Sequence, residues 1–257
     1  MNEEMAASGW CRRCQRWHRL GYGNSLINAR QLIERLQRNH ALAGDSTTDA
    51  RLTTDSLFAP GGGKMFGVLA CVNSQGQEVT LRAFSGQHNG LFTAPGWSPP
   101  LFPVEEYQLM TAEADNRIKE LEAQMTSLAM TGSHRDGRHE QYLKQLRQER
   151  RALSRALMPR LHALYRLRNP RGETASLFQA WTGPGGIPTG AGDCCAPKLL
   201  CQAASQGLRP LGMCEFFFGD GGQGAAARRH LGIYPACATK CQPLLGFLLC
   251  GLDAAPP

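Results

Sequence analysis

Two leucine-spaced segments in the middle of the chain restrict its fold more than any other feature. Ile118, Leu121, Met125 and Leu128 recur at heptad-like spacing, as do Leu143, Leu146, Leu153, Leu157 and Leu164, with a break from Gly132 to Gly137 between them. Apolar residues three or four apart line one face of a helix, and such a stripe needs a partner to cover it. A short break returns the second stripe onto the first. The spacing therefore predicts an antiparallel, coiled-coil-like helical hairpin over residues 104–170, inserted into another domain. Pro159 is expected to kink or restart the second helix, because it has no amide hydrogen to donate.

The flanking residues, 24–103 and 175–257, read as an α/β core of the α+β kind, with a small mixed sheet and flanking helices. Leu26, Ile27, Leu32, Ile33 and Leu36 mark a helix over Asn24 to Ala43. Met65 to Val72 and Glu78 to Phe84 flank Asn73-Ser74-Gln75-Gly76, a β-hairpin signal. Gly90 to Pro103 interleaves Pro95, Gly96, Pro99 and Pro100 with Phe92, Trp97 and Phe102 and predicts an ordered aromatic loop. A helix from Pro197 to Ser205, a strand from Leu211 to Phe218 and an apolar helix from Pro243 to Cys250 complete the order.

Charge is concentrated in the hairpin. Its first helix carries Glu105, Glu106, Glu113, Asp115, Glu120 and Glu122 against Arg117 and Lys119. From Thr131 to Arg171 the balance reverses, with eleven cations against three acidic residues. Arg135, Arg138, Lys144, Arg147, Arg150, Arg151, Arg155 and Arg160 form a surface suited to RNA phosphates, since guanidinium groups pair with phosphate and stack on bases. A solvated face paired with the acidic helix is the plainer alternative, and a protein-interaction scaffold is another.

No apolar run reaches the roughly 20 residues of a membrane span, and Met-Asn-Glu-Glu is acidic where a signal peptide is basic. A cytoplasmic location away from membranes is expected, where thiols stay reduced and cysteines serve metal binding or burial. There are ten cysteines. Cys11-Arg12-Arg13-Cys14 with His18 supplies part of a tetrahedral zinc site and makes residues 1–23 a candidate zinc-binding segment, with Cys71 a guess for the fourth ligand. The alternative is a frayed terminus with exposed thiols. Cys194, Cys195, Cys237 and Cys241 form a second candidate zinc site at two helix starts. Cys201, Cys214 and Cys250 are expected to pack as small apolar residues.

The order of elements and the paired cysteines resemble the zinc-dependent deaminase fold, in which one helix start supplies a first ligand and a later one supplies two cysteines. That resemblance implies a glutamate two residues beyond the first ligand, where this chain has Ala196 or Pro197. Glu215 or Asp193 would have to move protons instead, and Cys237 to Cys241 has three intervening residues where the family has two.

A second resemblance spans Cys11 to Leu252. Arg82-Ala83-Phe84-Ser85-Gly86-Gln87, Pro95-Gly96-Trp97-Ser98-Pro99-Pro100-Leu101-Phe102, Gly192-Asp193-Cys194-Cys195-Ala196-Pro197-Lys198 and Tyr234-Pro235-Ala236-Cys237 are similar to the amino-terminal extension of large bacterial RluA-type pseudouridine synthases. That family's aspartate motif is absent: Arg19-Leu20-Gly21 and Arg51-Leu52-Thr53 lack the acid. The resemblance implies an RNA-binding accessory module for pseudouridylation, with rRNA or tRNA and a separate synthase catalytic domain as expected partners. A divergent zinc-dependent nucleobase deaminase is the alternative.

Overall fold

A computed structural model describes residues 5–43, 49–130, 137–224 and 227–252, with the side chains of residues 113, 129, 130, 137 and 138 left aside. The chain divides into two compact units, one of Met1–Leu101 with Arg166–Pro257 and the other of Phe102–Tyr165.

The first unit is built on a four-stranded sheet in the order β4-β3-β7-β8, with β3 Lys64–Val72, β4 Glu78–Phe84, β7 Arg209–Phe218 and β8 Ile233–Tyr234. Every pairing in it is antiparallel, where a mixed sheet was expected. The reason lies in β3, which takes β4 through the tight Asn73 to Gly76 turn on one side and β7 on the other. The α+β class itself stands. Both middle strands are apolar on both faces because both faces are covered.

On one face Phe66, Val68, Phe84, Cys214, Phe216 and Phe218 pack with Ala29, Leu32 and Leu36 of α1 (Ser25–Asn39) and with Trp97 of the aromatic loop. The helix ends before Ala43 because His40 turns left-handed at φ 48°, and Ile27 faces solvent outside the stripe. The loop is fixed by Trp97 Nε1 donating to the Leu42 carbonyl at 3.0 Å. The opposite face, with Gly67, Leu69, Met213 and Glu215, lies under α5 (Cys195–Ser205). Gly67 is required there: a Cβ at that position would stand 2.7 Å from Cys195 Cβ.

Residues 5–21, read from sequence only as a candidate zinc segment, form a hairpin of β1 (Met5–Cys11) and β2 (Arg16–Gly21). β1 lies against the buried helix α6 (Gln242–Leu248). Their crossing is glycine on glycine: a Cβ on Gly9 would collide with Gly246 N, and one on Gly246 with Trp10 O. Two further two-stranded pieces, β5 (Leu167–Arg168) and β6 (Thr174–Ala175), bracket the Asn169 to Gly172 turn and lead into the single turn α4 (Leu177–Ala180).

The second unit is a helical hairpin of α2 (Val104–Met130) and α3 (Gly137–Leu164). Leu121, Leu146 and Leu161 are buried in it. α3 passes through Pro159 without restarting, since a proline removes a single backbone hydrogen bond from a long ladder. Among the described residues no helix is long and apolar enough to cross a membrane.

Gly246→Ala is expected to cost about 3 kcal/mol, because the methyl group must displace backbone and not a flexible side chain. Gly186→Ala, with open space at its Cβ, should be near neutral. Equilibrium chemical denaturation of both variants checks this.

Candidate metal centres

α6 sits between two clusters of thiols. Pro243, Leu244, Leu245, Phe247 and Leu248 are all buried, so the helix is held on every side and its ends are fixed in place. Cys241 is the residue before its first turn, and Cys250 follows its last. β1 runs beside it, with Ala6 O accepting from Ala236 N at one end and Cys11 at the other.

At the Cys250 end, Cys11, Cys14, His18 and Cys250 place one ligand atom each within 4.8 Å of all the others. Cys11 closes β1, Cys14 lies in the turn, and His18 stands opposite Gly9 on β2, so strand alternation turns its ring inward with Cys11. Cys14 Sγ is 3.0 Å from His18 Nε2 and 3.9 Å from Cys250 Sγ. Burial pushes the Cys14 thiol up, but hydrogen bonds from His18, Cys11 and Cys250 outweigh it and bring it down to about 6. Burial and the neighbouring Cys11 push Cys250 up to about 12. Three sulfurs and one imidazole nitrogen are a complete donor set for a tetrahedral metal.

The fourth member of this cluster is therefore Cys250 and not Cys71. Cys71 is buried in β3 with its thiol toward the Leu69 carbonyl, and burial pushes it up to about 12. The expectation that Cys250 merely packs is likewise corrected, while Cys214 and Cys201 are buried among apolar neighbours and the Arg168 amide.

At the other end of α6, Cys194, Cys237 and Cys241 gather within 4.8 Å. Cys194 caps α5 in extended conformation, and Cys237 and Cys241 occupy one turn closed by Cys241 N donating to Cys237 O at 3.2 Å. Hydrogen bonds from Cys194 and Cys241 outweigh burial and bring Cys237 down to about 2. The contact with Cys237 pushes Cys194 up, and contacts with Cys194 and Cys237 push Cys241 up. Cys194 and Cys237 are half-buried.

Cys195, placed in this site by sequence, is not part of it. One residue beyond Cys194, it enters the helix and turns under it, its thiol donating to Met65 O at 3.4 Å and Ala83 O at 3.6 Å. That leaves three protein ligands at this centre among the described residues.

Glu215 comes to the same place from β7. It is 4% exposed, and its Oε1 accepts from the Ala196 amide at 2.8 Å. Burial pushes its carboxyl up to about 7 against that hydrogen bond, the Cys237 charge adds to the rise, and Arg228 opposes it. Asp193 is half-buried, and its backbone carbonyl accepts from Gly86 N at 2.9 Å. Lys198 had no role in the sequence reading. It is buried and donates to Phe84 O and Gly86 O at 3.0 and 3.1 Å, fastening the end of β4 to α5. An isolated lysine in an apolar helix face was the available signal.

On the hairpin unit, Lys144, Arg147, Arg151, Arg155 and Arg160 are exposed, with no acidic partner among the described residues. Arg150 differs, since it pairs with Glu122 at 2.8 Å. Arg117 bridges Glu120 and Glu149. Arg135 lies outside the described residues, and so does the Arg138 side chain.

Comparison with protein-family models, with curated proteins and with solved structures gives no match to the chain. The two clusters rest on their own geometry: they are able to hold metal ions.

Replacing the fourth ligand should release metal from the hairpin cluster. Cys250→Ser is expected to lower metal content by about one equivalent per chain, whereas Cys71→Ser should retain the wild-type content, as read by elemental analysis.

Proposed function

We propose that the protein is a zinc-dependent hydrolase that removes an amino group from a nucleobase, with Cys194, Cys237 and Cys241 as the metal ligands and Glu215 as the proton carrier. The observation that carries this is the Glu215 carboxylate bonded to the amide of Ala196, two residues beyond Cys194. The deaminase resemblance calls for a carboxylate at that spot. Here the neighbouring strand delivers what the helix does not encode. Zinc with three protein ligands keeps a position for water and lowers its pKa.

The chain's own groups account for the rest. Glu215 takes a proton from water as its oxygen bonds to the ring carbon, then gives it to the departing amino nitrogen. The sum is water plus an amino-substituted base giving a carbonyl base plus ammonia. Burial keeps the carboxyl in a dry setting, where a proton is passed and recovered, and the Ala196 amide fixes its orientation. Asp193, with its backbone tied to Gly86 and its carboxyl outside the thiol cluster, is the weaker claimant. The four-ligand cluster of Cys11, Cys14, His18 and Cys250 is assigned a structural zinc, since it leaves no open position.

A second reading, an RNA-binding accessory module of the pseudouridine synthase type, is favoured by the exposed Lys144, Arg147, Arg151, Arg155 and Arg160 on one helix. It makes the hairpin a backbone-tracking surface without strong sequence preference, alongside a synthase catalytic domain on another chain.

Ammonia release from cytosine- and adenine-containing nucleosides and oligonucleotides tests the first reading. Glu215→Gln should lower kcat by about 100-fold or more at unchanged zinc content; full activity in that variant, or no release from any substrate, contradicts it. For the second, Arg147→Glu/Arg151→Glu/Arg155→Glu should weaken binding to structured RNA and flatten its salt dependence by roughly three phosphate contacts. Equal binding by wild type and variant contradicts it.

A further inference from the structure

The β1–β2 hairpin carries a second set of residues that neither metal centre uses. Strand alternation turns Gly9, Cys11, His18 and Leu20 inward and leaves Trp10, Trp17 and Arg19 outward, with Arg12 exposed in the turn just beyond β1. Trp10 and Trp17 are directly opposite in the register, 6.4 Å apart edge to face, and remain 38% and 52% exposed. Two large aromatic rings left in water on a short strand pair are unusual, because each loses the burial that makes tryptophan stabilising.

The charge around them has one sign. Residues 5–21 contain Arg12, Arg13, Arg16 and Arg19 and no acidic residue. Arg13 is paired with Glu173 at 2.7 Å. Arg12 and Arg19 are exposed and have no acidic partner among the described residues, while Arg16, exposed at the start of β2, is opposite Cys11 in the register and is not counted with this face. Beside this face lies a cavity of about 340 Å³, bordered by Trp10, Arg12, Thr174, Gln179, Thr182 and Phe247. That volume is at the small end of ligand sites, on the scale of a single nucleotide. Its wall combines an apolar floor with hydroxyl, amide and guanidinium groups.

We propose that this face of the hairpin docks single-stranded RNA, with bases stacked on Trp10 and Trp17, phosphates on Arg12 and Arg19, and one nucleotide entering the adjoining cavity. Stacking platforms flanked by cations are how unpaired strands are held, since every base has a π-face and every linkage a charge. A protein partner would need acidic and apolar groups in this alternation; a polynucleotide has it at every residue. A duplex hides its bases and offers only phosphates. The choice of RNA over DNA rests on the nucleic-acid reading above. The surface itself is independent of both the Cys194 centre and the α3 arginines.

The test uses the full, zinc-loaded chain and a labelled oligouridylate about 12 nucleotides long. Trp97 and Trp181 are buried, so quenching of tryptophan emission on titration reports Trp10 and Trp17. Quenching with wild-type protein is expected, and Trp10→Ala/Trp17→Ala should weaken binding by roughly tenfold or more. Trp10→Phe/Trp17→Phe should restore most of it. Unchanged zinc content and melting temperature in these exposed-site variants will exclude a folding effect. The Arg147→Glu/Arg151→Glu/Arg155→Glu variant should still quench, which separates this surface from the α3 reading, and Glu215→Gln should bind as wild type. Equal affinity of the Trp10→Ala/Trp17→Ala variant, equal affinity for a duplex of the same length, or tighter binding of oligodeoxyuridylate overturns the proposal.

Discussion

Everything distinctive about the first unit depends on one backbone crossing, where Gly9 of β1 lies on Gly246 of α6 with no side chain between them. A strand cannot approach a helix that closely if either carries a Cβ. The contact sets the amino-terminal hairpin beside the last helix and so joins chain segments more than 200 residues apart. One cluster forms where β1 ends near the carboxy end of α6, and the other where the turn before α6 meets the start of α5. A single buried helix thus serves as the strut between two clusters able to hold a metal ion.

The two centres differ in what they can do because they differ in ligand number. Cys11, Cys14, His18 and Cys250 offer four ligand atoms and bring the β1–β2 hairpin to the residue after α6, which suits a metal whose binding energy is folding energy. Cys194, Cys237 and Cys241 leave one position over, with the buried Glu215 carboxyl next to the first ligand's helix. A buried carboxyl is costly when ionised, and Glu215 is compensated by the hydrogen bond from the Ala196 amide.

Periodicity made the helices and the inner strands legible. Leu121 and Leu146 stand inside the hairpin, and Met65 to Val72 and Glu78 to Phe84 pair across their turn. β1 was not legible, because Ala6, Ala7, Ser8 and Gly9 are small and carry little alternation. Cys250 looked like packing, since it ends an apolar run; only the Gly9 to Gly246 contact shows what it faces. Cys194 and Cys195 are indistinguishable by spacing, and the helix start separates them by turning one toward the cluster and the next toward Met65 and Ala83. The carboxylate bonded at the start of α5 comes from β7, and a lone Glu215 between Cys214 and Phe216 was its trace in the sequence.

Anomalous scattering at the zinc edge from crystals of zinc-loaded protein tests the central claim most directly. Two peaks are predicted, one about 2.3 Å from the sulfurs of Cys11, Cys14 and Cys250 and completed by His18, the other bound by Cys194, Cys237 and Cys241 with solvent as the fourth ligand. A second centre closed by Cys195 or Glu215, or missing altogether, would contradict the account.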